Sequence, residues 1–474
     1  MSGKCPECAG QALLSLARAG ACTTTHAVPS TFVWRELEAI IDGGVVTFQM
    51  KRVFSDGTSV LHFTPQSFIR HIAMLIPAPP QPLMLGMKHS RVFQSHIKNK
   101  RMRRYAESQI RKDLARKMVF VAGPRQCGKT TLAKQILKAE HGDLDRYFNW
   151  DDQDDRARLL ERRWPSEGGI VVFDELHKYL RWRNLLKGLF DKRGDDLKIL
   201  VTGSARLDHY RRGGDSLQGR YHLLRMHPLS VAELGASQTE LETMLHLGGF
   251  PEPYLSGSEV EAKRWSRDYR VRLVREELAS LERVLELALV EQLLHRLPEC
   301  VGSPLSLNAL REDLQVSQPT VARWVTILEN LFALFRLPPF GAPRIRAVKK
   351  EQKHYHFDWT VVPSQAARFE NLVAAHLLKW CHWQEDTRGE DTELRYFRDV
   401  DKREVDFVIV QNRKPIRLIE CKLSAGPIDS GLRYLHQRFP AADAWQIHLH
   451  GKDDYRSEEG IRVAPALKLL GSLV

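Results

Sequence analysis

Residues that could handle a nucleotide lie between positions 123 and 220. Gly123-Pro124-Arg125-Gln126-Cys127-Gly128-Lys129-Thr130-Thr131 follows the apolar run Met118 to Ala122 and precedes helically spaced residues to Leu137. Two glycines let a backbone curl so that successive amide hydrogens face phosphate oxygens, with Lys129 as a point charge. Thr130 then places a hydroxyl at a helix start, where it can ligate Mg²⁺ beside the anion-favouring helix terminus. Such a loop needs an acid-ended strand, and Gly169 to Phe173 followed by Asp174-Glu175 supplies it. Asp174 is expected to hold Mg²⁺ through water and Glu175 to orient and deprotonate an attacking water. A third strand, Leu197 to Val201, ends in Thr202-Gly203-Ser204, which puts the Thr202 and Ser204 hydroxyls where a nucleotide-state sensor belongs. Arg220 is the candidate for the positive charge on a developing transition state, a surface arginine being the plain alternative.

A second constellation lies near the C-terminus. Glu370 opens a helix, Asp406 and Glu420 each lie within apolar strand-like runs, and Lys422 follows Glu420 by two. Alternation on one strand points Glu420 and Lys422 to the same face. Asp406 and Glu420 would hold Mg²⁺, Glu370 would complete the set, and Lys422 would position or activate water. A fold kept for binding, with its acids in ion pairs, is the alternative.

The elements that position these groups divide the chain as follows. Residues 91–235 form a parallel-sheet core, 236–297 a helical lid, 298–353 a two-helix module with a wing, and 354–474 a second α/β unit. In the third segment, Leu305 to Leu314 and Gln318 to Leu331 are helices around Gln315-Val316-Ser317, with Ser317 as N-cap. Helix-turn-helix spacing would aim Gln318, Thr320 and Arg323 at DNA, while Trp324, Ile327 and Leu328 face the core. The wing comprises the strand Phe332 to Leu337 and the basic stretch 344–353, and such modules also serve as protein adaptors.

At 474 residues the chain exceeds one ordinary core, and its 71 Lys and Arg against 58 Asp and Glu leave +13, a balance that favours anionic partners. No long uncharged apolar run and no secretory pattern occur, so membrane insertion is not expected and the cytoplasm is the default. Residues 1–90 differ in character. Cys5, Cys8, Cys22 and His26 have a spacing that would suit one Zn²⁺. Val45 to Arg52 and Ser59 to Phe63 alternate as a hairpin around Ser55-Asp56-Gly57, with a short helix through Ile76. Pro77 to Pro82 marks a linker, and the basic stretch 88–117 reads as a solvated helix or a nucleic-acid contact. Four cysteines, Cys127, Cys300, Cys381 and Cys421, read as reduced thiols.

Two resemblances follow. Gly123 to Thr131, Asn149-Trp150-Asp151, Phe173 to His177, Val201 to Ser204, Gly219-Arg220, Pro228-Leu229-Ser230 and Gly248 to Pro253 resemble, in order, AAA-superfamily ATPases of bacteria and archaea that carry a C-terminal nuclease-like domain. The resemblance runs from about Lys98 to the C-terminus. It implies an α/β fold with a P-loop AAA-type core, helical lid, winged helix and a C-terminal α/β domain of the PD-(D/E)XK nuclease-like kind. Where that family has Tyr-x-x-Asp followed closely by Gly, this chain has Tyr355-His356-Phe357-Asp358-Trp359. Separately, Val45 to Ile76 resembles a C-terminal piece of rolling-circle insertion-sequence transposases. There is no room for their catalytic domain, so a remnant without transposase activity is implied.

The expectation is therefore an ATP-hydrolysing, Mg²⁺-using protein that couples nucleotide state to a DNA-handling C-terminal domain, with or without nuclease activity. The alternative is an ATP-gated DNA-binding or regulatory adaptor. Arg220 acting in trans would require a homo-oligomer.

Overall fold

The computed structural model describes the backbone of residues 38–42, 45–49, 60–63 and 277–278 and, with side chains, residues 102–161, 163, 168–192, 196–203, 217–276, 286–341 and 351–474. In the N-terminal unit, strands β1 (Glu38–Asp42), β2 (Val45–Gln49) and β3 (Val60–Phe63) form an antiparallel sheet in that order, with Val46 opposite Phe63. The zinc-spaced Cys5, Cys8, Cys22 and His26, the short helix, the linker and Ser204 lie outside the described residues.

The second unit begins with α1 (Glu107–Leu114), β4 (Met118–Ala122), α2 (Lys129–His141), β5 (Tyr147–Asn149) and α3 (Gln153–Leu160). It continues through β6 (Gly169–Asp174), α4 (Trp182–Lys192), β7 (Leu197–Thr202) and β8 (Tyr221–Arg225). The five strands are all parallel in the order β5-β6-β7-β4-β8. Each strand is apolar on both sides, as a sheet covered on two faces requires. Val119 and Val121 pack into one cluster, and Met118, Phe120 and Ala122 into the other. Strand β4 lies between β7 and β8, the point where chain order reverses, and the loop after it therefore opens into a crevice at the strands' carboxyl ends.

Helices α5 (Gln238–Leu247), α6 (Pro251–Ser256), α7 (Glu259–Arg272) and α8 (Leu287–Arg296) follow, then α9 (Leu307–Leu314) and α10 (Gln318–Asn330). Ser237, Ser258, Ser306 and Ser317 each accept a backbone N–H as N-cap, which fixes four of these starts. The turn between α9 and α10 is closed by Gln315 at φ 53°. Trp324, Ile327 and Leu328 are buried, while Gln318 and Arg323 are exposed. Strand β9 (Leu334–Leu337) then pairs antiparallel with β10 (Lys353–His356).

The C-terminal part holds α11 (Gln365–Arg388), β11 (Thr392–Arg398), β12 (Glu404–Gln411), β13 (Lys414–Ser424), α12 (Ser430–Arg438), β14 (Asp443–His450), β15 (Tyr455–Arg456), β16 (Arg462–Pro465) and α13 (Ala466–Leu470). Its six-stranded sheet runs β11-β12-β13-β14-β16-β15 and is mixed, antiparallel from β11 to β13 and parallel from β13 to β16. Phe407 and Ile409 pack on one face, Val408 and Val410 on the other.

One apolar cluster runs without a break from Val119 and Leu132, through Leu241, Phe250, Val290 and Leu328, to Phe369, Phe407 and Leu469. The nucleotide-loop sheet, the helices and the C-terminal sheet of this unit thus share a core. Among the described residues no helix is long and apolar enough to cross a membrane.

Candidate nucleotide site and its link to the C-terminal helix

Helix α2 starts at Lys129 because Gly128 takes φ 97°, turning the loop into the helix. At Gly123 the reason for glycine is contact: a Cβ there would stand 2.1 Å from the Met226 carbonyl oxygen. The Lys129 ammonium donates to the loop's own carbonyls, Gly123 O at 3.0 Å and Pro124 O at 2.6 Å. These are exchangeable partners, and phosphate oxygens would replace them at similar reach. Asp174 ends β6 and is buried, its carboxylate accepting from the hydroxyls of Thr130 at 2.7 Å, Tyr147 at 2.7 Å and Thr202 at 2.5 Å. A threonine hydroxyl and a carboxylate in direct contact are a donor set suited to hard cations such as Mg²⁺.

Glu175 adopts the left-handed conformation at φ 56°, which a non-glycine residue holds only when its surroundings enforce it. The enforcement comes from its N–H donating to Thr202 O at 2.9 Å and from Lys178 N–H donating to its carbonyl at 3.1 Å. The carboxylate sits 3.3 Å from Lys178 and 3.6 Å from His177. Burial raises its pKa, and Lys178 and Lys129 only partly offset this.

These groups line a cleft of about 560 Å³ that also includes Arg125, Gln126, Lys134, Asn149 and Asp151. Tyr269, Arg272, Leu273 and Glu276, from α7 and the wider helical turn Leu273–Leu278 after it, line the cleft as well. Arg125 pairs with Glu276 at 3.1 Å across the opening. The motif residues are thus assembled with a wall that the loop spacing does not announce.

Arg220 lies elsewhere. Its carbonyl accepts from Met118 N–H, at the start of β4, while the phosphate loop follows the end of β4. Its guanidinium pairs with Asp191 at 2.8 Å. The Arg220 backbone is therefore at the opposite end of β4 from its own chain's phosphate loop.

The strongest feature that sequence reading missed is Arg104. The basic stretch reads in sequence as a solvated helix or a nucleic-acid contact, yet Arg104 is buried, because its three guanidinium nitrogens each find a fixed acceptor. They donate to Cys127 O of the phosphate loop at 2.6 Å, His227 O at 2.6 Å and Glu233 at 2.8 Å. Glu233 also takes the ammonium of Lys379, which stands on α11 and further donates to Ser230 Oγ at 2.9 Å and Pro228 O at 3.2 Å. Burial works against the Glu233 charge, but Arg104 and Lys379 outweigh it and hold its pKa at about 2. Burial lowers Lys379 to about 8 despite Glu233. Facing two cations, the carboxylate is the more firmly charged partner. Arg225, ending β8, adds a second tie to α11 through Asp386 at 2.7 Å and Glu385 at 2.6 Å. Trp359, where the resembled family has a glycine nearby, is buried and donates to Met244 O at 2.7 Å; a Cβ on Gly249 would stand 2.6 Å from its ring.

The C-terminal set is also brought together. Asp406 accepts from Cys421 N–H at 2.9 Å, Glu420 accepts from Asp406 N–H at 3.2 Å, and Lys422 donates to Glu420 at 2.9 Å and Asp429 at 3.0 Å. Glu370, near the start of α11, accepts from the Tyr355 hydroxyl at 2.6 Å. Burial pushes the Glu370 carboxyl up, as it does that of Glu420. The buried ammonium of Lys353 stands 3.3 Å from Glu370, 2.6 Å from Glu404 and 3.6 Å from Asp406. Sequence reading had placed Lys353 at the end of a basic wing.

Comparison with known proteins fits the first of these sites. Residues 115–235 match the family model described as AAA domain. Residues 115–235 are thus similar to an AAA domain. The five-stranded parallel core and phosphate loop have the P-loop α/β fold that such a domain implies. Residues 238–370 and 366–469 match two families described as domains of unknown function, DUF8612 and DUF4143. Uncharacterized proteins of Mycobacterium bovis and Mycobacterium tuberculosis are each 26% identical over 371 residues, covering 72% of this chain and 82% of theirs. Similar solved structures include the Aeropyrum pernix ORC1 protein in complex with DNA, with a TM-score of 0.31 and 14% identity over 60% of this chain and 96% of that one. A Thermotoga maritima RuvB gives a TM-score of 0.25 and 19% identity over 49% and 89%.

Proposed function

We propose that this chain is an ATP-hydrolysing switch whose nucleotide state is transmitted to a DNA-handling C-terminal domain. One observation carries the coupling. The carbonyl of Cys127, inside the phosphate loop, is bonded to Arg104, which shares Glu233 with Lys379 of α11. A loop that re-forms around phosphates would shift Cys127 and therefore the acceptor set of Arg104, while α11 reaches Glu370 at its other end.

For hydrolysis, the amides of residues 123 to 131 cradle the phosphates and Lys129 exchanges its loop carbonyls for phosphate oxygens. Thr130 and Asp174 would hold Mg²⁺, which when bound supplies positive charge to the phosphate oxygens. Glu175, with its raised pKa, takes the proton of the attacking water, and Thr202 ties Asp174 to the adjacent strand as a sensor of that state, with Ser204 proposed beside it. Arg220 reaches a transition state only in a neighbouring copy, so its role as a finger goes with a homo-oligomer.

Helices α9 and α10 with the β9/β10 pair are read as a winged helix that presents Gln318, Thr320 and Arg323 to DNA, consistent with the excess of 13 positive charges. Asp406, Glu420 and Lys422, with Glu370, are the set for a Mg²⁺-dependent nuclease. The second reading, an ATP-gated adaptor without nuclease activity, is favoured by the ammonium of Lys353 among those acids.

Steady-state ATP hydrolysis with Mg²⁺, with and without duplex and single-stranded DNA, tests the proposal. Turnover that DNA stimulates, and that both Lys129→Ala and Glu175→Gln abolish, is expected. ATP binding without turnover would reject the hydrolysing switch.

A further inference from the structure

In the C-terminal acid cluster, the place between the acids where a divalent ion would sit is held by a lysine from outside the sheet. Lys353 belongs to β10, which pairs with β9 rather than with the six-stranded sheet, and it is fully buried. Its ammonium faces one oxygen each of Glu370, Glu404 and Asp406. Other carboxylate oxygens of the cluster are engaged too. Asp406 Oδ2 accepts from Cys421 N–H, Glu420 Oε2 from Asp406 N–H and Glu420 Oε1 from Lys422. Glu370 Oε1 accepts from the Tyr355 hydroxyl in addition to Lys353. The far oxygen of Glu370 faces Gly302, where a Cβ would come within 3.2 Å of it.

Mg²⁺ demands near-ideal octahedral oxygens at about 2.0–2.1 Å and gives up its waters reluctantly. It cannot share such a small acid cluster with a resident cation, since two like charges in a desolvated site repel strongly. Lys353 is anchored: its backbone is held in the β9/β10 ladder opposite Leu337, and its ammonium also lies 5.6 Å from the ring of Tyr396.

We infer that Lys353 is a built-in counter-cation that takes the place of a metal ion among Glu370, Glu404 and Asp406, so that the cluster binds the β9/β10 strand pair to the C-terminal sheet instead of binding Mg²⁺. The cluster is then an intramolecular docking point. Two acids of the sheet and one of α11 grip a lysine delivered by the strand pair that follows α10. This rests on the nuclease-like reading of the C-terminal domain and decides it in favour of DNA handling without metal-dependent cutting.

The test uses Tb³⁺ as probe on the full chain carrying Thr130→Ala and Asp174→Asn, which removes the metal donors of the nucleotide cleft. Tyr355, bonded to Glu370, would sensitise emission from an ion bound at the cluster. No emission that depends on Asp406 is expected up to about 1 mM, the weak end of biological cation sites. Adding Lys353→Met should create a site at least about tenfold tighter, and Asp406→Asn should remove it again. Emission from the Lys353 chain that Asp406→Asn abolishes would overturn the inference, as would a folded Lys353→Met chain that gains no site. Should Lys353→Met fail to fold, the Lys353 chain with and without Asp406→Asn decides alone. Failure of the ATPase reading would show in nucleotide turnover, which this measurement does not involve.

Discussion

The nucleotide cleft and the C-terminal acid cluster are built from the same materials, a lysine beside carboxylates, and they do opposite things with them. In the cleft, Lys129 rests on backbone carbonyls that a phosphate can replace, and Asp174 and Glu175 face a space of about 560 Å³. In the cluster, Lys353 is held by three carboxylates and buried from all sides. A lysine whose partners are neutral and exchangeable is poised for an anionic ligand. One whose partners are fixed acids has already found its counter-ions, and replacing it leaves uncompensated charge.

Breaking the cleft should give the largest effect. Glu175→Gln is expected to lower ATP turnover by about 10²- to 10⁴-fold, the usual range for a lost general base, while still binding nucleotide, and Lys129→Ala to lower it comparably through the lost charge on the phosphates. Turnover within a factor of about two of the parent in Glu175→Gln would remove that residue from the chemistry. Because the pKa of Glu175 is raised and a base must be deprotonated, turnover should fall on acidification at a pH above that of an ordinary glutamate, about 4.3.

The network between the two regions comes next. Lys379→Met leaves Glu233 with a single cation in a buried site and is expected to cost about 3–5 kcal/mol in denaturant unfolding. A loss under about 1 kcal/mol would mean that Arg104 alone suffices.

The same network sets an acid dependence. Glu233 has its folded pKa depressed to about 2, so its contribution is present above the unfolded value and is lost as pH falls toward the folded one. A shift of this size corresponds to about 3 kcal/mol. Stability should therefore decline between roughly pH 4.5 and 2, and Glu233→Gln should flatten that part of the profile, as followed by unfolding midpoints.

The smallest effect expected within one copy is at Arg220, which pairs with exposed Asp191 at the opposite end of β4 from the phosphate loop. Under dilute conditions where the chain is monomeric, Arg220→Ala should leave turnover unchanged. A loss that appears only when sedimentation shows oligomers would assign it to a neighbour's site.

The phosphate loop and the acid-ended strand were legible because their chemistry is local. Gly123 to Thr131 is one loop and Asp174-Glu175 one strand end, so spacing alone orders them. The parallel core was legible for the same reason, strand by strand. What escaped is what long-range packing decides. Arg104 looked like one more charge in a basic stretch, but its acceptors lie 23, 123 and 129 residues away. Lys379 sits in a helix where a lysine usually faces water, and the docking of α11 on Ser230 and Glu233 buries it. Tyr147, which shares Asp174 with Thr130, comes from a three-residue strand with no motif of its own. Lys353 was grouped with a basic wing because its acids come from α11 and β12, 17 to 53 residues on.

Hydrogen–deuterium exchange with and without a slowly hydrolysed ATP analogue tests the coupling most directly. Changed exchange is expected in residues 123–131 and also in 228–234 and along α11, all of it absent in Lys129→Ala. Changes confined to the phosphate loop and residues 174–178, with α11 unaffected, would contradict the claim that nucleotide state reaches the C-terminal domain.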